Sequence, residues 1–378
     1  MKKGEEKRGK PDYILLGAVL FLILLGILIL VSVSAAPSLE QYGSSTWLLF
    51  RHVAFGLLPG ALLGYIAFRS PLSRIKKWAP ILLLGNLFLM VLVFFPIIGI
   101  SAGGASRWLN LGITSFQPSE FLKITFILYL AAWLSSSVIK KNGSYPLQKI
   151  NNASNTFTSF LIIIGIITAL LVMQPDVSTW GVIVMSAVLM YFLSGTPIKH
   201  SLYMVAGCIG ALFLLIKIAP YRFERFLVFI KPDIDPMGLG YQIKQALIAV
   251  GSGGILGKGL GMGLQRYGFV PQSMGDSIFA IFSEETGFLG SFILIALFMV
   301  FAWRGFAIAR NSKDAFSKLV CLGVSSWITI QSFINIGAML GLLPLTGIPL
   351  PFISYGGSAL VAELIAVGIM LNISTKTS

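Results

Sequence analysis

Long apolar stretches separated by short polar ones make up most of this chain of 378 residues. Ten of the stretches are close to the roughly 20 residues that an α-helix needs to cross a bilayer. They are Tyr13–Ala35, Trp47–Phe68, Trp78–Gly99, Pro118–Leu134, Phe157–Met173, Thr179–Gly195, Ser201–Ala219, Ser277–Trp303, Phe316–Leu340 and Gly356–Asn372. We therefore predict an all-α polytopic membrane protein with about ten transmembrane helices, forming one membrane domain over residues 1–378.

Composition agrees with the pattern. Hydrophobic residues are 56% of the chain and charged residues only 11%, against about 45–50% and about 25% in soluble domains. The formal net charge is +14, but most basic residues lie in short loops between spans. We attribute the charge to membrane topology, and we do not expect a nucleic acid partner.

The distribution of basic residues orients the spans. Of the 28 Lys and Arg residues, 18 fall in segments that share one side of the membrane with both termini. Cytoplasmic loops are enriched in Lys and Arg, so we predict cytoplasmic N- and C-termini. Spans seven and eight are then joined by a large outer loop, about residues 220–276.

That outer loop is unusually basic for its side of the membrane. Outer loops are normally poor in Lys and Arg, so we infer an anionic ligand. Two apolar segments within the loop, Phe226–Ile230 and Ile243–Val250, are expected to be helices at the membrane interface. The basic residues of the loop are Arg222, Arg225, Lys231, Lys244, Lys258 and Arg266.

The same loop is rich in glycine between Gly251 and Gly263. Gly257-Lys258 is followed by Gly259, so the segment is not a phosphate-binding loop of the Gly-Lys-Ser/Thr type. A dinucleotide fingerprint would need a preceding strand, which this pattern excludes. The glycines instead predict a tight turn or a close approach of the backbone to a ligand.

Several charged residues within or beside the spans are candidates for chemistry, because charge in a membrane is costly. Glu120 and Lys123 are three residues apart on one helix face; they either neutralise each other, or Lys123 meets an anion in a cavity. Asp176 either caps the following helix or has a functional role. Asp276 has the same two interpretations, and we expect Glu284 or Glu285 to meet a basic partner.

Two outer segments add further candidates. Arg107 and Trp108 lie before the fourth span, where Trp108 is also the kind of residue that anchors a protein at the interface. The prolines from Pro344 to Pro351 lead into Ser354–Ser358 at the start of the tenth span. Cys208 and Cys321 lie in apolar runs, so we expect neither a disulfide nor a metal site.

These segments together resemble the SEDS proteins, the RodA/FtsW/SpoVE family. The resemblance extends over nearly the whole chain and keeps the family's order. The matching segments are Gly104–Trp108, Phe116–Glu120, Gln174–Asp176, Gly240–Gln242 with Gln245, Gly251–Gly254, Asp276 with Ile278–Ala280, and Pro351–Ser358. Within the family, Gly261–Pro271 is more similar to the FtsW-like division branch than to the RodA-like elongation branch.

The resemblance implies a peptidoglycan glycosyltransferase of the bacterial plasma membrane, acting at the division septum in the FtsW-like case. It would polymerise lipid II, a disaccharide-pentapeptide on undecaprenyl pyrophosphate, into β-1,4 glycan strands on the outer face. Its partners would be membrane lipid, a class B penicillin-binding protein and other division proteins. Asp276 matches the family's catalytic Asp. The residues expected to bind substrate are Arg107, Trp108, Glu120, Lys123, Asp176, Arg222, Arg225, Gln245 and Ser358.

One position departs from the family pattern. Family members commonly have His-Thr or His-Ser just before the Asp, and this chain has Met274-Gly275. A proton relay through that His is therefore not expected here. Two other functions stay open: a flippase for the lipid-linked precursor, and a non-catalytic scaffold of the division complex.

The chemistry of such a transfer needs a base for the attacking hydroxyl and cations for the leaving pyrophosphate. Partial burial would raise the pKa of Asp276 and improve it as a base. Arg107, Lys123, Arg222 and Arg225 are the candidate cations. A divalent ion such as Mg²⁺ or Mn²⁺ could share this work, although the sequence has no carboxylate cluster that demands one.

Overall fold

A computed structural model describes residues 9–102, 105–137, 153–218, 220–265 and 269–377. Within those residues a helix coincides with each of the ten predicted spans, and two more lie in the predicted outer loop. The helices are α1 Tyr13–Tyr42, α2 Trp47–Arg69, α3 Leu72–Leu92, α4 Pro118–Ser137, α5 Ala153–Met173, α6 Val177–Leu193, α7 Ile198–Ile218, α8 Pro220–Ile230, α9 Leu239–Ser252, α10 Ile278–Asn311, α11 Ala315–Met339 and α12 Gly357–Ser374.

Six of these helices are long and apolar enough to cross a membrane: α1, α2, α3, α10, α11 and α12. Shorter apolar segments occupy Phe157–Met173 in α5 and Val177–Leu193, which is α6. The protein is therefore a mostly helical, multi-spanning membrane protein. The number of ten spans stays a prediction. Some of the basic residues that served to orient the chain lie outside the described residues, among them Lys140, Lys141, Lys149 and Arg266.

The all-α prediction is wrong between α3 and α4. A small antiparallel sheet lies there, with strands β1 Gly99–Ala102, β2 Ala105–Asn110 and β3 Ser115–Phe116 in the order β1-β2-β3. Gly112, at φ +81°, turns the chain between β2 and β3, where the Asn110 side chain accepts a hydrogen bond from the Gly112 N–H at 2.9 Å. A search for 20-residue apolar runs does not detect strands this short.

Helix α12 packs closely along α2 through glycines. A Cβ on Gly64 would lie 2.7 Å from the Leu364 carbonyl oxygen, and one on Gly368 would lie 2.1 Å from the Gly64 carbonyl oxygen. Small residues allow this approach of two membrane helices, where packing and not the hydrophobic effect drives association. Helices α11 and α12 are the most enclosed of the six long helices, so the core of the protein lies around them.

Helix α10 is broken at Gly287, which has φ +67° and ψ −164°. A helix break leaves carbonyls before it and N–H groups after it without partners in the helix, and in a membrane protein such groups must find other partners. The segment 253–265, here called the glycine loop, supplies them. The four hydrogen bonds are Lys258 N to Glu284 O at 3.0 Å, Gly259 N to Glu285 O at 3.0 Å, Phe288 N to Gly254 O at 2.9 Å and Leu289 N to Ile255 O at 3.1 Å.

The glycines are required because the two backbones are in contact. A Cβ on Gly257 would lie 2.2 Å from the Glu285 carbonyl oxygen, and one on Gly253 would lie 2.1 Å from the Ser283 carbonyl oxygen. The glycines thus allow a close approach of the backbone to α10 of the same chain. A close approach to a ligand stays a prediction.

A buried carboxylate anchors the other end of the glycine loop. Glu284 pairs with Lys258 at 2.7 Å and accepts hydrogen bonds from the N–H groups of Leu264 at 3.2 Å and Gln265 at 3.1 Å. The predicted basic partner of this glutamate pair is therefore Lys258. In addition, Glu285 accepts a hydrogen bond from Ser32 of α1 at 2.5 Å.

We expect Gly257→Ala to destabilise the protein, because it adds both a steric clash and a side chain at φ +80°. Left-handed backbone at a residue other than glycine costs about 1–3 kcal/mol before any clash. The melting temperature in detergent should fall by several degrees. Gly85→Ala in α3 is the control, since a Cβ there meets nothing within 4 Å. Equal melting temperatures for the two variants would contradict the contact.

Candidate functional site

The segment between α11 and α12, residues 340–356, connects the elements that carry the predicted site; we call it the proline loop. In this loop the Thr346 carbonyl accepts a hydrogen bond from the Ser178 hydroxyl of α6. The Pro349 carbonyl accepts one from the Gln331 side-chain amide of α11 at 2.9 Å. The Phe352 N–H of the same loop donates to Glu363 of α12 at 2.8 Å. Three helices are thereby held to one segment.

Asp276 lies in a turn that packs on the proline loop just before α10. The turn's carbonyls accept hydrogen bonds from the Tyr355 N–H and the Ser354 hydroxyl, and Asn335 of α11 donates to the carbonyl of Asp276 itself. Ser277, and not Asp276, is the N-cap residue of α10, and it has no side-chain capping bond. Asp276 is therefore available for another role.

The carboxyl group of Asp276 is in a low-dielectric environment. Its Oδ1 is fully buried and has no hydrogen-bond partner among the described residues. Burial raises the pKa of Asp276 to about 6; backbone hydrogen bonds, the positive charge of Arg225 and the Gln242 amide act in the opposite direction. A carboxylate with a pKa near neutrality is a better proton acceptor at the pH of the outer face.

Arg107 joins two of the predicted segments. From β2, its Nε donates to the Gln174 carbonyl at 3.1 Å and its Nη2 donates to the Pro175 carbonyl at 2.5 Å. The turn between α5 and α6 is thus held by the guanidinium. Trp108, next in β2, is half-buried and faces Ile100 in the ladder between β1 and β2.

Asp176 follows that turn and caps α6. Its Oδ1 accepts a hydrogen bond from the Thr179 N–H at 3.3 Å, and its Oδ2 accepts one from the Ser119 hydroxyl at 3.1 Å. The capping interpretation is confirmed. Ser358 meets the same region, because its hydroxyl accepts a hydrogen bond from the Gln117 N–H at 3.0 Å.

Glu120 and Lys123 form a buried ion pair at 2.7 Å, with side chains 4% and 2% exposed. The Lys123 ammonium also donates to Gln331 Oε1 at 2.9 Å and lies 5.2 Å from the centre of the Trp327 ring. The self-neutralising interpretation of the pair thus has direct support. A contact of Lys123 with an anion stays a prediction, and Gln331 connects the pair to the proline loop.

The remaining predicted binding residues are less defined by the structure. Arg222 lies in α8, but its side chain is outside the described part of the chain. Arg225, in the same helix, is half-buried and close enough to influence the Asp276 carboxyl. Gln245 is half-buried in α9.

Three residues around Asp276 were not among the predicted site residues: Gln242, Asn335 and Ser354. Gln242 and Ser354 lie in segments that match the family, whereas Asn335 does not. Gln242 is in α9, where its amide donates to Ser277 Oγ at 3.0 Å. A polar side chain within an apolar span, or within a segment that matches the family, is the signal that could have identified these residues. A buried amide in a membrane helix needs a specific partner.

Among the described residues, no group of three or more His, Cys, Asp or Glu side chains could hold a metal ion. We therefore derive no step through Mg²⁺ or Mn²⁺. Among the described residues, the oxygen atoms near Asp276 that could bind a cation belong to its own carboxylate and to neutral amides or carbonyls.

The fold and the site define a multi-spanning membrane protein in which the Oδ1 atom of Asp276 is buried at a loop–helix junction. A family model described as "Cell cycle protein", for FtsW, RodA and SpoVE, matches residues 13–378. Stage V sporulation protein E of Bacillus subtilis is 37% identical over 372 residues, 97% of this chain and 98% of that protein. A probable peptidoglycan glycosyltransferase FtsW of Geobacter metallireducens is 35% identical over 365 residues, 97% of this chain and 95% of that protein.

Solved structures agree. One, described as structural coordination of polymerization and crosslinking by a peptidoglycan synthase complex, matches with a TM-score of 0.75 and 26% identity over 97% of this chain and 98% of that chain. The rod shape determining protein RodA of Thermus thermophilus matches with a TM-score of 0.68 and 26% identity, covering 96% of each chain. The chain belongs to the FtsW/RodA/SpoVE family.

We expect Lys123→Met to lower the melting temperature strongly, because removing one partner of a buried ion pair costs about 3–5 kcal/mol. Combining it with Glu120→Gln should restore most of that loss, since no orphan charge remains. The melting temperatures of the single and double variants in detergent test this. A double variant as unstable as the single one would contradict the self-neutralising pair.

Proposed function

We propose that this protein is a peptidoglycan glycosyltransferase that polymerises lipid II into β-1,4 glycan strands on the outer face of the plasma membrane. The observation that carries the proposal is the half-buried Asp276 at the start of α10, whose Oδ1 is enclosed and whose pKa burial raises to about 6. The family membership supports it, because relatives at 35% identity carry the name peptidoglycan glycosyltransferase.

In this proposal Asp276 is the general base. It takes the proton from the 4-hydroxyl of the acceptor sugar as that oxygen bonds to the anomeric carbon of the donor. The bond from that carbon to the pyrophosphate oxygen breaks, and the lipid pyrophosphate leaves with the electron pair. A positioned base contributes about 10²–10⁴-fold to such a step.

The leaving group needs positive charge as its own charge develops. Arg225 is the best-supported source of that positive charge, because its guanidinium is near enough to the Asp276 carboxyl to oppose the rise in the pKa of Asp276. Arg222, one helical turn earlier in α8, would act with it. Preorganised cations in a site sheltered from water stabilise developing anions by several kcal/mol.

The remaining proposed substrate contacts lie in segments that hydrogen bonds connect in pairs. Arg107 binds the turn between α5 and α6, Asp176 binds Ser119, and Ser358 binds Gln117. Trp108 follows Arg107 in β2. Glu120 and Lys123 would contact the substrate only after some rearrangement, because both side chains are buried. Gln245 would contribute from α9.

The topology proposed for this activity has ten spans, cytoplasmic termini and an outer loop over about residues 220–276. The outer loop then places Asp276 where a lipid-linked substrate meets water while its tail remains in the bilayer. The proposed partner is a class B penicillin-binding protein, which is supported by the match to a peptidoglycan synthase complex.

The proposed setting is the division septum, with other division proteins. It is supported by the FtsW and sporulation relatives, which are 35% and 37% identical. The matches to RodA keep an elongation role as the alternative within the family.

We expect Asp276→Asn to insert and fold normally but to lose glycan polymerisation. Asn has nearly the same shape but cannot accept a proton at neutral pH. Polymerisation should be measured with purified protein and lipid II, with and without the transpeptidase. Normal polymerisation by the variant would remove Asp276 as the base. If the wild type moves lipid II across vesicles without polymerising it, it is a flippase; if it does neither, it is a scaffold.

The polymerisation rate should fall as the pH drops through about 6, the pKa of Asp276. The base acts in its ionised form, so the rate should be about tenfold lower at one pH unit below the pKa. Arg225→Gln removes a positive charge that lowers this pKa, so the acidic limb should move to higher pH. The KM for lipid II should also rise.

The matched control is Lys244→Gln, which removes a basic residue from the same loop that pairs with Asp233 at 2.5 Å. Its acidic limb should coincide with that of the wild type. If the Arg225→Gln limb also coincides with it, Arg225 does not act on Asp276.

A further inference from the structure

Three successive carbonyls of the Asp276 turn are each held by a different donor. The Met274 carbonyl accepts from the Tyr355 N–H at 2.8 Å, and the Gly275 carbonyl from the Ser354 hydroxyl at 2.7 Å. The Asp276 carbonyl accepts from the Asn335 amide at 2.8 Å. All three donors lie outside the turn, in the proline loop or in α11.

Asn335 uses its amide on both sides of the site. Its Nδ2 also donates to the Ile348 carbonyl of the proline loop at 2.8 Å, and the residue is 1% exposed. One planar amide therefore joins the Asp276 main chain to the proline loop. Because an amide nitrogen has two N–H donors in one plane, both carbonyls are fixed relative to α11.

The consequence for Asp276 is geometric. Its side chain leaves the backbone between the peptide planes that contain the Gly275 and Asp276 carbonyls. When both planes are fixed, the direction of the Cα–Cβ bond is fixed as well. The Asp276 carboxyl can then stay buried with Oδ1 unpartnered among the described residues, a position it would otherwise leave for water.

We propose that Asn335 is a positioning residue for the general base, and that Ser354 supports it by holding the preceding carbonyl. This inference rests on the proposed function, since it assigns Asn335 a role through Asp276. It also explains how the turn can function with Met274-Gly275 at the positions where the resemblance would place a histidine. Hydrogen bonds to the main-chain carbonyls, and not a preceding side chain, orient Asp276.

A purely structural role is the competing explanation, and the chain contains a matched control. Asn372 of α12 is also buried, and its Nδ2 donates to the carbonyls of Ala67 at 3.1 Å and Ser70 at 2.5 Å. Asn372→Leu thus removes two hydrogen bonds of the same kind at the C-terminal end of α2. Asn335→Leu removes them at Asp276.

The experiment compares Asn335→Leu and Asn372→Leu in the full-length protein. Each is purified in detergent, its folded fraction is measured, and polymerisation of lipid II is followed as a function of substrate concentration and pH. We expect Asn335→Leu to lower kcat by about 10–100-fold, because small misplacement of a catalytic group is costly. The KM should change less than about twofold.

The acidic limb gives a second readout. Loss of the Asn335 bond should let water reach the Asp276 carboxyl, which weakens the effect of burial, so the limb of Asn335→Leu should move below pH 6. Asn372→Leu should keep the wild-type kcat per folded molecule and the wild-type limb. If both variants keep the wild-type kcat and limb per folded molecule, Asn335 is not a positioning residue.

Ser354→Ala keeps the test decisive if Asn335→Leu does not fold. It removes only a hydroxyl, and it should lower kcat and move the limb in the same direction by a smaller amount; an unchanged kcat and limb would overturn the proposal. Asp276→Asn is assayed in parallel. If Asp276→Asn polymerises lipid II, the assignment of Asp276 as the base has failed. If Asp276→Asn is inactive and Asn335→Leu is fully active, only the positioning role of Asn335 has failed.

Discussion

A backbone carbonyl or N–H group within a membrane has no water to bind, and leaving one unpaired costs several kcal/mol. At the break of α10 at Gly287, the glycine loop forms hydrogen bonds with four such groups. Loop and helix are therefore one structural unit. Because the first part of α10 continues directly from the Asp276 turn, the position of the candidate base depends on this exchange of hydrogen bonds.

The proline loop applies the same constraint on the other side of the turn. Its irregular backbone is paired with side chains of the two helices that flank it, Gln331 and Asn335 of α11 and Glu363 of α12. It also accepts a hydrogen bond from Ser178 of the distant α6. Electrostatic and packing requirements meet here. The segment that holds the helices together also shields Asp276 from water, and burial is the dominant cause of its raised pKa. Stability and the proposed catalysis thus use the same contacts.

The sequence predicted the helices well because a 20-residue apolar run has few alternatives in a membrane protein. It also singled out Asp276 as a charged residue beside a span, and the resemblance then made it the candidate base. The short sheet was missed, since its longest strand has six residues. Asn335 was missed because its partner is 59 positions away, and no periodic pattern connects the two. The pairing of Arg107 with carbonyls 67 and 68 positions away was hidden for the same reason.

Holding the Asp276 turn by its main chain has a consequence for how the sequence can vary. The carbonyls of Met274 and Gly275 take part in hydrogen bonds that any residue could make. A Cβ at Gly275 would meet its nearest neighbour, the Gln272 carbonyl oxygen, at 3.5 Å, an ordinary contact distance. Position 275 can therefore carry a side chain, whereas Met274 packs against the hydrophobic core. The hydrogen bonds that shape the turn come from the side chains of Asn335 and Ser354. Substitutions in that distant pair, and not in the neighbours of Asp276, should mark relatives whose turn has changed.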